Sequence, residues 1–165
     1  MAIDVLQKIK VPVPADLFPL ALTTFEKYMV SDDCPDYPMG FVIEITLSGQ
    51  LHRESFESAL NLATRRHPLL LATISTSSHR LLWQYSNQLP TVQWYEEPDT
   101  DDSVAKGYIN LRNEPGLKTV VWHETEKSRV SFLFHHAVVD GIGAMHFIGD
   151  LLAIYGQSTC AIDDR

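Results

Sequence analysis

The residues best suited to chemistry stand together in one short segment, His135-His136-Ala137-Val138-Val139-Asp140-Gly141. An imidazole has a pKa near neutral pH, so it can take up and release a proton under working conditions, and His136 is a candidate general base. Asp140, four residues later, could fix the tautomer of that imidazole or the shape of the loop. Gly141 lacks a Cβ, which permits unusual backbone angles and lets a substrate approach the main chain.

The kind of base catalysis follows from what the segment lacks. It contains no serine, cysteine or threonine that could act as a covalent nucleophile. The pattern therefore favours direct transfer, in which the base deprotonates an incoming hydroxyl, amine or thiol and no acyl-enzyme forms.

Two predicted elements must position this segment. The apolar run at 130–134 is typical of a strand that leads directly into the first histidine. A helix is predicted to follow from about Gly143 to Tyr155, and Gly143 adds freedom to the turn before it. The residues of that helix available to the core are Met145, Ile148, Leu151, Leu152 and Tyr155.

The rest of the chain predicts an α+β domain. A first helix is expected from Ala15 to Val30, and a second through Phe56 that stops before Pro68. Strands are expected at Phe41–Leu47, Leu69–Ile74, His79–Tyr85, Val92–Tyr95, Leu117–His123 and Arg129–Phe134. The last two should form a hairpin across Glu124–Ser128, so the sheet should be mixed and largely antiparallel.

Composition narrows the class of protein. The 165 residues, 45% of them hydrophobic and 21% charged, describe one soluble globular domain over 1–165. A net charge of -8 argues against nucleic acid as a partner, because such binding depends on Lys and Arg. Cys34 and Cys160 fit no zinc or disulfide pattern, so we expect a cytoplasmic protein. No apolar run has the length and position of a signal peptide or of a transmembrane helix, so we expect neither.

The segment His135–Gly141 matches the HHxxxDG pattern of the superfamily that includes chloramphenicol acetyltransferase, condensation domains of nonribosomal peptide synthetases and wax-ester synthase acyltransferases. Upstream, the residues at 65–70, Arg-Arg-His-Pro-Leu-Leu, resemble the RHxxLR segment of condensation domains. Leu71 stands where that segment has its second arginine, which departs from a strict peptide-synthetase pattern. The resemblance implies the chloramphenicol acetyltransferase-like fold, a two-layer α/β sandwich.

The resemblance also implies roles for the site residues. His136 would deprotonate the acceptor, while Asp140 would pair with an arginine, for which Arg66 is the candidate. His135 would be mainly structural, and Gly141 would keep a substrate tunnel open. The co-substrate would be acyl-CoA or an acyl-phosphopantetheine on a carrier protein, with no tightly bound cofactor. The acceptor would be a small molecule, a peptide or a lipid.

The resemblance covers the amino-terminal half of the family's two-half domain. A second half-domain, or further copies of the chain in a homo-oligomer, would complete the site, as in the trimeric chloramphenicol acetyltransferase. We therefore expect an acyltransferase that is inactive as an isolated half.

These residues also allow other interpretations. His135, His136, Asp140 and His146 include possible metal ligands, but adjacent histidines at a strand end tend to point to opposite faces, so no metal is expected. A non-catalytic module of the same fold could instead bind a carrier protein or another subunit. Arg66 could equally be a solvated charge favoured by the end of its helix.

Overall fold

The computed structural model describes residues 17–86, 88–96 and 107–163, and side chains as far as residue 159. In chain order the elements are β1 (Leu20–Ala21), α1 (Thr24–Asp32), β2 (Gly40–Ser48), α2 (Arg53–Arg66), a 3₁₀ helix (Pro68–Leu71), β3 (Ala72–Ser77), β4 (Arg80–Tyr85), β5 (Thr91–Tyr95), β6 (Leu117–His123), β7 (Lys127–His135) and α3 (Gly141–Asp163).

The larger sheet has the strand order β2-β7-β6-β5. β7 runs antiparallel to both of its neighbours, and β5 runs parallel to β6. The predicted hairpin is confirmed, since β6 and β7 pair from Leu117↔Phe134 to His123↔Ser128. A smaller antiparallel sheet has the order β1-β4-β3. The sheets are thus mixed and largely antiparallel, as the sequence predicted.

The first helix begins later than its sequence pattern predicted. Leu20 and Ala21 form β1 and pair with β4, so the prediction of a helix there was wrong. A capping box sets the start of α1: the Thr23 hydroxyl accepts from the Glu26 N–H, and the Glu26 carboxylate accepts from the Thr23 N–H. Residues 15 and 16 lie outside the described residues.

The strand predicted at Leu69–Ile74 also begins later. Pro68 is the first residue of the 3₁₀ helix, where its fixed φ and missing N–H are tolerated. The Leu70 N–H then donates to the carbonyl of His67, which keeps this stretch helical. β3 therefore starts only at Ala72.

Helices α2 and α3 pack against one face of the larger sheet. Phe132 and Phe134, two apart on β7, both contact Phe147 of α3 edge-on, with ring centroids 6.2 and 5.8 Å away. Phe56 of α2 contacts Trp94 of β5 in the same manner at 5.7 Å. These contacts join one layer of helices to one layer of strands, which is the two-layer α/β sandwich that the sequence predicted.

The core-facing side of α3 differs from the prediction near its start. Met145 is 56% exposed, so its assignment to the core was wrong, whereas Ala144 and Phe147 are buried. The remaining predicted core residues are buried or partly buried: Ile148, Leu151, Leu152 and Tyr155.

Within the described part of the chain, no helix combines the length and the apolar character needed to cross a bilayer. Cys34 is a free thiol, and the side chain of Cys160 lies outside what the structure describes. Of the acidic run at 96–102, the described residues include only Glu96.

The aromatic contacts of Phe147 predict a large effect of its truncation. We expect Phe147→Ala to lower the free energy of unfolding by about 3–5 kcal/mol, because the substitution leaves a cavity between α3 and β7. Urea denaturation followed by circular dichroism measures this change. Met145→Ala on the exposed side of the same helix is the control and should stay within about 0.5 kcal/mol of the wild type. Equal losses for both variants would contradict the packing described here.

Candidate active site

Both histidines of the HHxxxDG segment are held through their backbone at the end of β7. His135 is the last residue of the strand and pairs with Gly40 of β2. Its N–H donates to the carbonyl of Gly116 at 3.0 Å, and the N–H of His136 donates to the carbonyl of Met39 at 2.8 Å. The main chain at the histidines is therefore fixed from two sides.

The ring of His135 is buried, with 2% of the residue exposed. Its Nδ1 accepts a hydrogen bond from the Ala137 N–H at 3.0 Å, so the neutral ring carries its proton on Nε2. That Nε2 lies 3.4 Å from Oδ2 of Asp33, which is too long for a strong hydrogen bond but close enough for electrostatic attraction. Burial lowers the pKa of His135 although the charge of Asp33 opposes this, so the ring is held neutral.

The ring of His136 lies in a different environment. It is half-buried, and one face packs on Phe41 with the ring centroids 4.4 Å apart and the planes tilted by 34°. Among the described residues, no group forms a hydrogen bond with its nitrogens. His136 is therefore the histidine of the pair whose ring is accessible from outside the fold.

Asp140 is the N-cap of α3. Its Oδ1 accepts from the Gly143 N–H at 2.7 Å, and its backbone carbonyl accepts from the Ala144 N–H at 2.9 Å. The sequence allowed Asp140 to fix either the tautomer of His136 or the shape of the loop, and the structure shows the second role. Gly143 is required here rather than merely permissive, because a Cβ would lie 2.7 Å from Val139 and 3.2 Å from the Asp140 carboxylate.

The expected pairing of Arg66 with Asp140 was wrong. Arg66 Nε donates instead to Oδ2 of Asp150 at 2.9 Å, and the same oxygen lies 3.1 Å from Nε2 of His67. The end of α2 lies beside the middle of α3 rather than beside its first turn, so Asp150 is within its reach and connects the two helices. Arg66 is half-exposed, so the ion pair contributes little to stability by itself.

Gly141 begins α3 without a left-handed φ, so the unusual backbone angles that its sequence position suggested are absent. A Cβ built on it would contact nothing within 4 Å. The described residues thus leave the space beside the Cα of Gly141 unfilled.

The described residues contain no group of three His, Cys, Asp or Glu side chains arranged to hold a metal ion. The proposed ligand set does not converge, since His135 is buried against Asp33 while His146 is exposed on α3.

Sequence reasoning missed the residues that support the two histidines from elsewhere in the chain. These are Asp33, Met39 and Phe41, together with Gly116, where a Cβ would lie 2.6 Å from Val138 of the motif loop. No local pattern marks them, because each acts across the sheet on a partner far away in sequence.

No protein-family model matches the chain. Two uncharacterized proteins of Mycobacterium tuberculosis, from two strains, are each 26% identical to it over 144 residues. This match covers 82% of the chain and 33% of each relative, so the chain spans about one third of the length of the curated relatives it matches.

Several solved structures share its fold. The starter condensation domain of rhizomide synthetase RzmA superposes with a TM-score of 0.72 at 14% identity, over 82% of this chain and 37% of that one. A double mutant of that domain in complex with C8-CoA gives 0.73 at 15% identity, over 83% and 35%. The X-domain from teicoplanin biosynthesis, in complex with OxyB, gives 0.74 at 16% identity, over 87% and 34%. The chain therefore has the condensation-domain fold.

The capping role of Asp140 can be tested by stability. We expect Asp140→Ala to lower the free energy of unfolding by about 1 kcal/mol, because the N–H of Gly143 loses its acceptor. Asp140→Asn retains an acceptor oxygen and should cost only a few tenths of a kcal/mol, which urea denaturation can resolve. A large loss in both variants would mean that the charge of Asp140, rather than its cap, is what matters.

The burial of His135 predicts a pH dependence of stability. Because its folded pKa is lowered, the unfolded chain binds a proton that the folded chain resists as pH falls below about 6.5. His135 should therefore destabilise the fold progressively between its unfolded and folded pKa values, at no more than about 1.4 kcal/mol per pH unit.

This pH dependence is measured by urea denaturation between pH 7.5 and 5. His135→Gln should flatten the slope because glutamine does not titrate, whereas His136→Gln is the matched control at the accessible position. A slope that persists unchanged in His135→Gln would contradict the assignment.

Proposed function

We propose that the chain forms part of an acyltransferase of the condensation type. An acyl group moves from a thioester of coenzyme A or of a carrier protein's phosphopantetheine arm to a hydroxyl or amine acceptor, and His136 is the general base. The observation that carries this proposal is the ring of His136, which is partly exposed at the end of β7 and forms no hydrogen bond with the described residues.

The reaction needs one group that takes a proton and later returns it. A ring nitrogen of His136 accepts the proton of the acceptor O–H or N–H as the oxygen or nitrogen attacks the thioester carbonyl. The C–S bond then breaks, and the imidazolium returns the proton to the departing thiolate. Atoms and charge balance without a covalent enzyme intermediate, as expected for a segment without a nucleophilic side chain.

The neighbouring residues suit this role. His135 is neutral and buried, so it adds no positive charge beside the base as the proton arrives. Asp140 and Gly143 hold the loop by capping α3, and the open space at Gly141 leaves room for a substrate. One solved neighbour of this fold was captured with C8-CoA, and another structure of that domain also holds Leu-SNAC, which supports a thioester donor and an amino acid acceptor.

The rest of the site would come from a second half-domain or another copy of the chain. His136 is presented at the surface of this fold, so a partner could close over it. We infer that the isolated chain is inactive and that turnover needs the complete assembly.

The test is the turnover of the complete protein with octanoyl-CoA and a panel of amine and alcohol acceptors, followed by release of the coenzyme A thiol. We expect His136→Ala to lower turnover by about 10²- to 10⁴-fold, the usual effect of losing a general base. His146→Ala, an exposed histidine on the adjacent helix, is the matched control and should retain activity. Unchanged turnover in His136→Ala would remove this residue from the mechanism.

A second candidate function is a non-catalytic module that binds a carrier protein or another subunit. The X-domain that shares this fold was solved in complex with another protein, OxyB, which favours this alternative. A carrier-protein pull-down run beside the turnover assay separates the two functions. Binding without turnover in the complete protein would favour the module.

A further inference from the structure

One carboxylate, that of Asp33, connects both histidines of the segment. Asp33 follows α1, and only 8% of its side chain is exposed. Its Oδ2 lies 3.4 Å from Nε2 of His135, while its Oδ1 accepts from the Met39 N–H at 2.8 Å. The carboxylate thus contacts a buried ring on one side and the backbone of its own loop on the other.

The hydrogen bond between Asp33 and Met39 is linked to His136 by a second hydrogen bond. The N–H of Met39 donates to Oδ1 of Asp33, and the carbonyl of Met39 accepts from the N–H of His136, both at 2.8 Å. Two residues later, the ring of Phe41 packs on the ring of His136. A shift of the 33–39 loop would therefore move the Met39 carbonyl that holds the backbone of His136.

Tyr108 adds a third partner to the carboxylate. Burial raises the pKa of the Tyr108 phenol, and interaction with the Asp33 carboxylate raises it further, so the phenol stays protonated beside Asp33. The segment of Tyr108 is fixed in turn, because its carbonyl accepts from Lys118 Nζ at 2.8 Å. Asp33 thus accepts from the Met39 N–H, and the protonated phenol of Tyr108 and the neutral imidazole of His135 lie beside it.

We propose that Asp33 is a positioning residue of this site: together with the Ala137 N–H on Nδ1 it keeps the proton of His135 on Nε2, and through the backbone of Met39 it orients His136. The catalytic part of this inference rests on the proposed function, in which His136 is the base. The part that concerns the tautomer of His135 is independent of any activity.

The informative substitution is Asp33→Asn. A carboxylate offers two acceptor oxygens, whereas an amide offers one oxygen and one NH₂ group. After this substitution either the Met39 N–H or the His135 Nε2–H must face a donor, so one of the two contacts is lost. Asp36→Asn is the matched control, because Asp36 lies in the same loop with an exposed carboxylate.

Turnover of octanoyl-CoA by the complete protein tests the catalytic part. We expect Asp33→Asn to lower kcat by about 10- to 100-fold with little change in KM, because a displaced base affects the reacting geometry rather than donor binding. In a His136→Ala background the same substitution should have no further effect, since Asp33 acts through His136. Asp36→Asn should match the wild type. Wild-type kcat in Asp33→Asn would overturn the proposal.

Nitrogen-15 NMR of the imidazole side chains tests the tautomer part on the wild-type protein and on Asp33→Asn. We expect the wild-type His135 to show a protonated Nε2 and an unprotonated Nδ1, and Asp33→Asn to weaken that preference. A proton on Nδ1 in the wild type, or an unaltered His135 signal in the variant, would overturn the proposal, and the first of these outcomes can be observed even if the variant does not fold. If His136→Ala retains turnover, the proposed function fails, and the NMR result decides the role of Asp33 on its own.

Discussion

Both the fold and the candidate site depend on the pairing of β7, the strand that is hydrogen-bonded to β2 on one side and to β6 on the other. A buried strand must satisfy its backbone N–H and C=O groups, and two flanking strands do this along its whole length. At its end the pattern continues with carbonyls from two different parts of the chain, Gly116 and Met39. The histidines are therefore held by the sheet itself rather than by a free loop.

The alternation of a strand separates the two histidines into different environments. Successive side chains of a strand point to opposite faces, so two adjacent histidines can lie in different environments. His135 enters the interior, where desolvation keeps it neutral and Asp33 lies against its Nε2. His136 stays partly exposed and packs on Phe41. One ring is thus packed inside the fold, and the other is partly accessible.

Two carboxylates stabilise helix α3, one by capping its start and one by joining it to α2. Asp140 caps its first turn, and Gly143 makes room for that cap. Asp150, further along, pairs with Arg66 and His67 at the end of α2. Between these two residues Phe147 fills the space against β7. The loop that carries the motif is consequently held at both of its ends, by β7 and by α3.

The sequence by itself determined the features that depend on local pattern. The apolar strand before His135, the hairpin of β6 and β7, the end of α2 before Pro68 and the mixed sheet all follow from periodicity and turn residues, which act over a few neighbours. The late starts of α1 and β3, and the exposure of Met145, were not predictable in this way, because pairing and packing partners decide them. The same reason separates the site residues: the motif was visible as a pattern, whereas the pairing of Arg66 with Asp150 and the contact of Asp33 with His135 join distant parts of the chain. Only the tertiary structure decides such contacts, because only the relative placement of packed elements brings those side chains within reach of each other.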